Sequence, residues 1–134
     1  MNSRGFTIIE LMIAVVVLAI LSGITVSVIN VPQKQKQAQD TVIRNKLHDL
    51  SQLAEAYWYL EGVYPATGQA LVGASYAQEW PTTGFNYKLA GDGKSFSIQV
   101  TKMSDTGFFK YSSPWGEIRD CAAGTNPNDV NDCK

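Results

Sequence analysis

The distribution of apolar and polar residues divides the chain into an apolar N-terminal stretch and a longer, mixed remainder. From Leu11 to Ile29 no residue is charged, and most are Leu, Ile, Val, Ala or Met. At about 1.5 Å per residue, a helix over this run approaches the ~30 Å hydrocarbon thickness of a bilayer. We therefore predict a transmembrane helix over residues 6–31. A secretory signal peptide is the alternative, but its apolar stretch is shorter and ends in a small-x-small cleavage site, which this run lacks.

A second pattern begins after Pro32, where the chain becomes polar and then amphipathic. Apolar residues recur at spacings of four and three, as on one face of a helix. This stripe consists of Ile43, Leu47, Leu50, Ala54 and Tyr57, and Trp58 widens it. Gly62 is the predicted stop, with Pro65 shortly beyond it. The long helix thus has an apolar half and an amphipathic half, with a kink or melted stretch where Gly23, Ser27 and Pro32 weaken it.

Alternating positions in the second half of the chain predict a small antiparallel sheet. Residues 62–84 are interpreted as a loop with a short helix near Ala74–Trp80. Phe85–Leu89 and Phe96–Thr101 both alternate, and the Gly91–Lys94 turn between them predicts a hairpin. Its apolar face consists of Phe85, Tyr87, Leu89, Phe96, Ile98 and Val100. With a third strand over Thr106–Ser112, the sheet packs on the amphipathic stripe, which is an α+β fold.

Composition and charge exclude several classes of protein. Hydrophobic residues make up 45% of the chain and charged residues 17%, which excludes a disordered or low-complexity chain. Eleven Lys and Arg against twelve Asp and Glu give a net charge of −1, so no basic field indicates nucleic acid. Two cysteines and one histidine are too few for a four-cysteine zinc site or a histidine-based metal centre.

Few residues are candidates for catalysis. His48, Asp49 and Ser51 are residue types of a catalytic triad, but they are nearly consecutive on one helix and cannot converge. The Gly91–Lys94 segment lacks the spacing of a phosphate-binding loop and is a turn. Because no convergent polar cluster is visible, we predict that the protein is not an enzyme and needs no cofactor.

Two surface features retain a second interpretation. The C-terminal segment is rich in side-chain oxygens, namely those of Asn126, Asn128, Asp129, Asn131 and Asp132. A solvated turn is favoured there over calcium binding because the spacing is not that of an EF-hand, and we assign no metal site. Trp58, Trp80 and Trp115 either form an aromatic ligand surface or, as we favour, pack in the core or between subunits.

Glu10 is physically unusual because it places a carboxylate at the leading edge of the apolar helix. A charge in hydrocarbon costs about 2–4 kcal/mol on insertion scales. One explanation is a hydrated first-turn carboxylate that the helix dipole favours. The other is a specific cationic partner, which also explains why so long an apolar run follows the acid directly.

The segment Arg4-Gly5-Phe6-Thr7-Ile8-Ile9-Glu10-Leu11-Met12 resembles the processing motif of type IV prepilins and pseudopilins. A short basic leader ends in glycine, phenylalanine follows, and glutamate is the fifth residue of the mature chain. The resemblance implies that a prepilin peptidase cuts between Gly5 and Phe6 and methylates the new amino group of Phe6. It also implies that Glu10 pairs with the N-terminal amine of a neighbouring subunit. The chain departs from many family members in having Gly23 and Ser27 where they have a proline.

By this resemblance the chain divides into a leader (residues 1–5), an apolar helix for the membrane and the filament core (6–31), and a globular pilin head (32–134). The type IV pilin fold, a long helix packed on a small antiparallel sheet, agrees with the α+β architecture predicted from periodicity. Pilin heads commonly end in a disulfide loop, and an exported segment meets an oxidising compartment. We therefore expect a Cys121–Cys133 disulfide rather than two free thiols.

The implied function is structural: the major pilin of a type IV pilus, or fimbrium, in which identical subunits form a helical filament for adhesion, twitching motility or DNA uptake. The implied partners are other copies of the chain, prepilin peptidase and the pilus assembly machinery. The precursor is expected in the inner membrane, and the mature subunit in the extracellular filament on the bacterial cell surface. A minor pilin or a type II secretion pseudopilin is the alternative, and a membrane-anchored ligand-binding domain is a more remote one.

Overall fold

The computed structural model describes residues 5–26, 31–124, 126 and 129–133. The chain divides into two compact units, residues 1–34 and 35–134. Helix α1 (Ile8–Val26) belongs to the first unit. The second unit contains nearly all of helix α2 (Val31–Glu61), a short helix α3 (Gly68–Gly73) and a β-sheet, so the predicted α+β architecture is confirmed.

Helices α1 and α2 correspond to the two predicted halves of the N-terminal helix. Residues 27–30, including Ser27, lie outside the described residues, and the kink expected in this region stays a prediction. Pro32 lies in the first turn of α2, where its missing N–H interrupts no helical hydrogen bond. At the other end, Gly62 has a φ of 75° and its N–H donates to the Trp58 carbonyl at 2.8 Å. The predicted stop at Gly62 is therefore confirmed.

The short helix α3 lies earlier in the chain than the predicted helix near Ala74–Trp80, which is wrong. Leu71 is fully buried within α3, and the amides of Tyr76 and Ala77 both donate to its carbonyl at 2.9 and 3.1 Å. Ser75 adopts a φ of 63°, which lies in the left-handed region. A right-handed helix cannot continue through such a residue, so α3 ends before it.

Four antiparallel strands form a meander in the order β1-β2-β3-β4. Their bounds are β1 Phe85–Leu89, β2 Phe96–Thr101, β3 Phe108–Ser112 and β4 Glu117–Cys121. The predicted hairpin is confirmed with its register, because Phe85, Tyr87 and Leu89 pair with Val100, Ile98 and Phe96. β3 begins at Phe108 rather than at the predicted Thr106.

The prediction of three strands is wrong in number, because β4 pairs with β3 along its whole length. β4 lies at the edge of the sheet, and its Glu117, Arg119 and Asp120 are exposed. These charges remove the apolar alternation that identifies a strand in a sequence. Charged edge strands are a common protection against pairing with other chains.

The hydrophobic core lies between α2 and one face of the sheet. Its buried members are Leu47, Leu50, Ala54, Leu71, Phe96, Ile98, Val100, Phe109 and Tyr111. Fully burying a side chain such as Leu or Phe stabilises the fold by about 1.5–3 kcal/mol. Ile43 and Tyr57 of the predicted stripe pack half-buried at the edge of the core. Trp58 does not widen it as predicted, because it is 46% exposed and lies outside the buried cluster.

Asp40 is a buried acid on α2 that the apolar stripe does not predict. It is 6% exposed, and its carboxylate accepts hydrogen bonds from the Met103 amide at 2.6 Å, the Ser104 amide at 3.2 Å and the Ser104 hydroxyl. Burial acts to raise the pKa of this carboxyl, but the three hydrogen bonds outweigh it and the pKa is lowered. Charge-assisted bonds thus tie α2 to the loop between β2 and β3.

Replacing Asp40 by Asn keeps the shape of the side chain but turns an amide N–H₂ group toward donors of the loop. We expect Asp40→Asn to lower the free energy of unfolding by about 1–3 kcal/mol. Because the folded pKa of Asp40 is below the unfolded one, its contribution is present above the unfolded pKa and is lost as pH falls through the folded pKa.

Urea unfolding of the wild type and of Asp40→Asn, from neutral pH to about pH 2, is the measurement. The difference in stability between the two proteins should narrow below roughly pH 4. A difference that stays constant over this range would contradict the role of the ionised carboxylate.

Candidate functional site

The start of helix α1 contains the residues of the N-terminal motif. Thr7 immediately precedes the helix, and Glu10 lies in its first turn. The Thr7 amide and hydroxyl donate to Glu10 Oε2 at 3.2 and 2.9 Å, and the Glu10 amide donates to Thr7 Oγ1 at 3.3 Å. This reciprocal arrangement is a capping box, in which side chains satisfy N–H groups that the helix leaves unpaired.

The capping box gives Glu10 a role within a single chain. Its exposed carboxylate lies at the positive end of the α1 dipole and accepts both bonds from Thr7. Within the part of the chain that the structure describes, no cationic side chain lies at ion-pairing distance from it. The first-turn explanation therefore holds for one chain, and a cationic partner has to come from outside the described residues.

Thr7 is a residue of this site to which the sequence analysis assigned no role. The signal was present, since Thr7-Ile8-Ile9-Glu10 is a Thr-x-x-Glu sequence directly before an apolar run. The charge of Glu10 by itself predicts a dipole effect or a cationic partner, whereas its role as a hydrogen-bond acceptor depends on Thr7 three residues before it.

Gly5 and Phe6, the residues of the predicted cleavage junction, precede α1 and lie outside regular secondary structure. Phe6 is 80% exposed. A Cβ on Gly5 would meet no atom within 4 Å, and the φ of Gly5 is not in the left-handed region. The fold of this chain therefore does not require glycine at position 5. Residues 1–4 of the predicted leader, including Arg4, lie outside the described residues.

Helix α1 presents exposed apolar side chains on all sides. Their exposed fractions run from 48% at Val17 to 82% at Ile8. The set comprises Ile8, Ile9, Leu11, Met12, Ile13, Val15, Val16, Val17, Leu18, Ile20 and Leu21. A helix that is apolar all round is normally covered by other apolar groups.

Among the residues that the structure describes, no helix has both the length and the apolar character needed to span a bilayer. The assignment of residues 6–31 as a transmembrane helix stays a prediction from the sequence.

The two cysteines form the expected disulfide, which joins Cys121 at the end of β4 to Cys133. The acids between them accept hydrogen bonds from local amides: Asp132 from Asn126 at 2.8 Å and Asp129 from Asn131 at 2.9 Å. Asn128 lies outside the described residues. Within the described ranges, no group of three or more His, Cys, Asp or Glu is arranged to hold a metal ion. The acids therefore act as turn-forming acceptors.

His48, Asp49 and Ser51 do not form a catalytic arrangement. The Ser51 hydroxyl donates to the His48 backbone carbonyl at 2.7 Å, so it is bound to its own helix. His48 is exposed, and its Nδ1 lies 4.0 Å from the Asp49 carboxylate. Nucleophilic catalysis requires a nucleophile that is hydrogen-bonded to an adjacent base. These three side chains do not provide one.

Each tryptophan packs against a different neighbour. Trp58 stacks on Tyr64 with ring centroids 5.8 Å apart, and Trp80 lies edge-on to Tyr87 at 6.0 Å. The half-buried Trp115 has the Arg119 guanidinium 4.5 Å from its ring centroid. Trp80 packs at the rim of the core, in agreement with the prediction of core packing, whereas Trp58 remains exposed.

Lys110, in the middle of β3, is a functional candidate without any signal in the sequence. It alternates with the core residues Phe109 and Tyr111, so the pattern predicts a solvent-facing lysine. Instead it is fully buried, and its Nζ donates to the backbone carbonyls of Asp129 and of Asp132, the latter at 2.9 Å.

Two similarities to known proteins bear on this site. The family model for the prokaryotic N-terminal methylation motif matches residues 1–26. The chain is also 34% identical over 71 residues to the type IV wide pilus major component PilA4 of Thermus thermophilus. The aligned region covers 53% of this chain and 53% of PilA4, so the chain spans about half the length of the curated relative it matches.

These matches agree with the molecule described above. The methylation motif coincides with the capped start of α1, and the fold is the helix-and-sheet architecture expected of a pilin. The motif, the fold and the similarity to PilA4 together support the type IV pilin family for this chain.

Proposed function

We propose that this chain is the major structural subunit of a type IV pilus and that identical copies assemble into a helical filament through α1. The observation that carries the proposal is an exposed, predominantly apolar helix that begins at Ile8, two residues after the Gly5–Phe6 pair. Apolar surface of this extent indicates contact with lipid or with other apolar helices. The similarity to PilA4, which is named as a major pilus component, supports the major role.

The same helix suits both stages of the proposed life of the subunit. The precursor is held in the inner membrane, and the mature subunit lies in an extracellular filament against the α1 helices of other copies. Both surroundings are apolar, so the transfer does not leave the helix exposed to water. Heterologous contacts between identical copies extend without closing, which produces a fibre.

Abundance distinguishes the major role from the two alternatives within the family. We expect this chain to be the predominant protein in filaments sheared from cells that express it. The measurement is quantitative mass spectrometry of the purified filaments. A trace of the chain among filaments built of another subunit would instead indicate a minor pilin, and its absence would favour a secretion pseudopilin.

Processing between Gly5 and Phe6 is the proposed step before assembly. The fold gives Gly5 open space and no left-handed φ, so it does not account for the glycine. A peptidase cleft that admits the backbone closely does account for it, because glycine has no side chain. Hydrolysis of this bond makes Phe6 the N-terminal residue, and methylation of its amine leaves the positive charge in place.

For the wild type we expect a mature chain that begins at Phe6 with a methylated amine, and for Gly5→Leu an uncleaved precursor. Gly91→Leu is the matched control, because Gly91 is also a glycine with open space and no left-handed φ. N-terminal mass analysis of the three chains from cells is the measurement. Normal cleavage of Gly5→Leu would show that the peptidase does not read this junction.

Assembly would supply the cationic partner that Glu10 lacks among the described residues. A carboxylate in a dry filament core is strongly unfavourable unless an opposite charge meets it. We propose the methylated amine of Phe6 on an adjacent subunit, since no Lys or Arg occurs between Leu11 and Ile29. The helix cap does not prevent this pairing. Both Thr7 bonds go to Oε2, so Oε1 keeps its acceptor sites.

Three variants separate the helix-capping role of Glu10 from its proposed charge-pairing role. Glu10→Gln keeps an acceptor for Thr7 but has no charge, and Glu10→Ala loses both. Thr7→Val weakens the cap, typically by about 1 kcal/mol, and keeps the carboxylate. We expect both Glu10 variants to be cleaved and held in the membrane but to yield few filaments, and Thr7→Val to yield filaments.

The measurement is the amount of sheared filament relative to membrane-held subunit, with N-terminal mass as the control for cleavage. Filament yield at the wild-type level from Glu10→Gln, together with a loss in Thr7→Val, would assign Glu10 to capping alone. Loss of cleavage in Glu10→Gln would move its role to the peptidase step.

A further inference from the structure

The face of the sheet that points away from α2 is polar, yet part of it is buried. Ser97, Lys110 and Ser112 are each at most 2% exposed. The register places Ser97 beside Ser112, and Lys110 between Gln99 and Arg119. These positions alternate with the core residues of the same strands, so Ser97, Lys110 and Ser112 form a buried polar layer on the outer face.

A short segment at the end of the chain covers this polar face. We call the described residues 129–133 the strap. Cys133 joins the strap to the end of β4, the backbone carbonyls of Asp129 and Asp132 accept hydrogen bonds from Lys110 on β3, and Val130 is 9% exposed. Val130 and Leu89 of β1 line the same pocket of about 360 Å³, so this part of the strap lies near β1, on the opposite side of the sheet from β4. The strap therefore crosses the sheet from β4 toward β1.

Two attachments hold the strap, one covalent and one polar. The covalent attachment is the Cys121–Cys133 disulfide. The polar attachment is the Lys110 ammonium, which is fully buried and has backbone carbonyls as its acceptors. Burial lowers the pKa of this amine, against the opposite effect of the Asp129 and Asp132 carboxylates. The polar attachment is thus weakened by the cost of removing a charge from water.

Among the described residues, apolar burial contributes little to closure of the strap. The core cluster between α2 and the sheet contains no strap residue, and Val130 is the one buried apolar side chain among the described residues of the strap. The main apolar contribution to stability therefore does not depend on the strap. On the same face of the sheet, Gln99 Oε1 and Ser112 Oγ are buried with no hydrogen-bond partner among the described residues, which disfavours the covered state. The disulfide is the attachment that remains, and it acts by restricting the open chain.

We propose that the strap is a redox-controlled cover over Lys110: reduction of the Cys121–Cys133 bond opens it and exposes the lysine amine while the head stays folded. The reductant is a dithiol, which transfers two electrons and two protons. The protein disulfide becomes two thiols, and the dithiol becomes a disulfide. This redox-controlled opening involves only the outer face of the sheet, so it does not depend on the proposed assembly through α1.

The test is pulsed labelling of amines in the full-length protein in detergent, with an acylating reagent and peptide mass spectrometry. In the oxidised protein we expect Lys110 to be protected and the exposed Lys88 and Lys94 to react. After reduction by a dithiol and capping of the thiols, labelling of Lys110 should rise by about tenfold or more, as local opening predicts. A variant with Cys121→Ser and Cys133→Ser should behave in the same way without a reductant.

Lys102 is the matched control for the integrity of the fold. Its side chain is 9% exposed and lines a pocket with Cys121, and it is held by Asp105 at 3.1 Å and by Asp120 rather than by residues of the strap. We expect Lys102 to stay protected in both redox states and the near-ultraviolet circular dichroism of the aromatic core to be unchanged.

Two results would overturn the proposal. Continued protection of Lys110 in both the reduced protein and the serine variant would show that polar contacts alone keep the strap closed. Labelling of Lys102 together with Lys110, with loss of the aromatic signal, would show that the disulfide supports the whole head.

Discussion

Packing around Phe96 is the interaction on which the head depends. Phe96 is fully buried, and its ring contacts those of Tyr64, Tyr87 and Tyr111 at centroid distances of 4.8–5.6 Å. The hydroxyls of Tyr64 and Tyr111 both donate to Glu55 of α2 at 3.0 Å, so the aromatic layer also fixes the helix. Burial raises the pKa of Tyr87 and of Tyr111, which keeps these phenols neutral. One cluster thus joins α2, the loop after it and three strands.

The sheet separates two kinds of stabilisation. Its face toward α2 is apolar and holds the core, whereas its outer face holds Lys110 and other polar groups beneath the strap. The core gains from the removal of apolar surface from water, which needs no particular partner. The outer layer depends on directed contacts, namely the Lys110 hydrogen bonds and the Cys121–Cys133 bond, and each of these can be removed singly. Local opening is therefore expected on the outer face before the core.

Helix α1 combines a locally satisfied start with a surface that the chain leaves uncovered. Thr7 and Glu10 supply each other's hydrogen bonds at the helix end, so both of their backbone N–H groups have acceptors within one chain. The apolar side chains that follow remain exposed. The start of the helix is explained within one chain, and the apolar surface is explained by the surroundings proposed for it, first lipid and then other copies of α1.

Local patterns in the sequence determined the elements whose residues are close in the chain. The hairpin register of β1 and β2, the stop at Gly62 and the stripe of Leu47, Leu50 and Ala54 follow from periodicity and turn chemistry, and the motif around Glu10 pointed to the family. Only the tertiary structure decided the features that depend on distant segments. Asp40 is buried because a loop more than sixty positions away supplies its donors. Lys110 is buried because the chain end folds over it, and β4 is a strand because β3 lies beside it. The local sequence around a polar residue is the same whether water or another segment of the chain covers that residue. Its burial is therefore set by the fold alone.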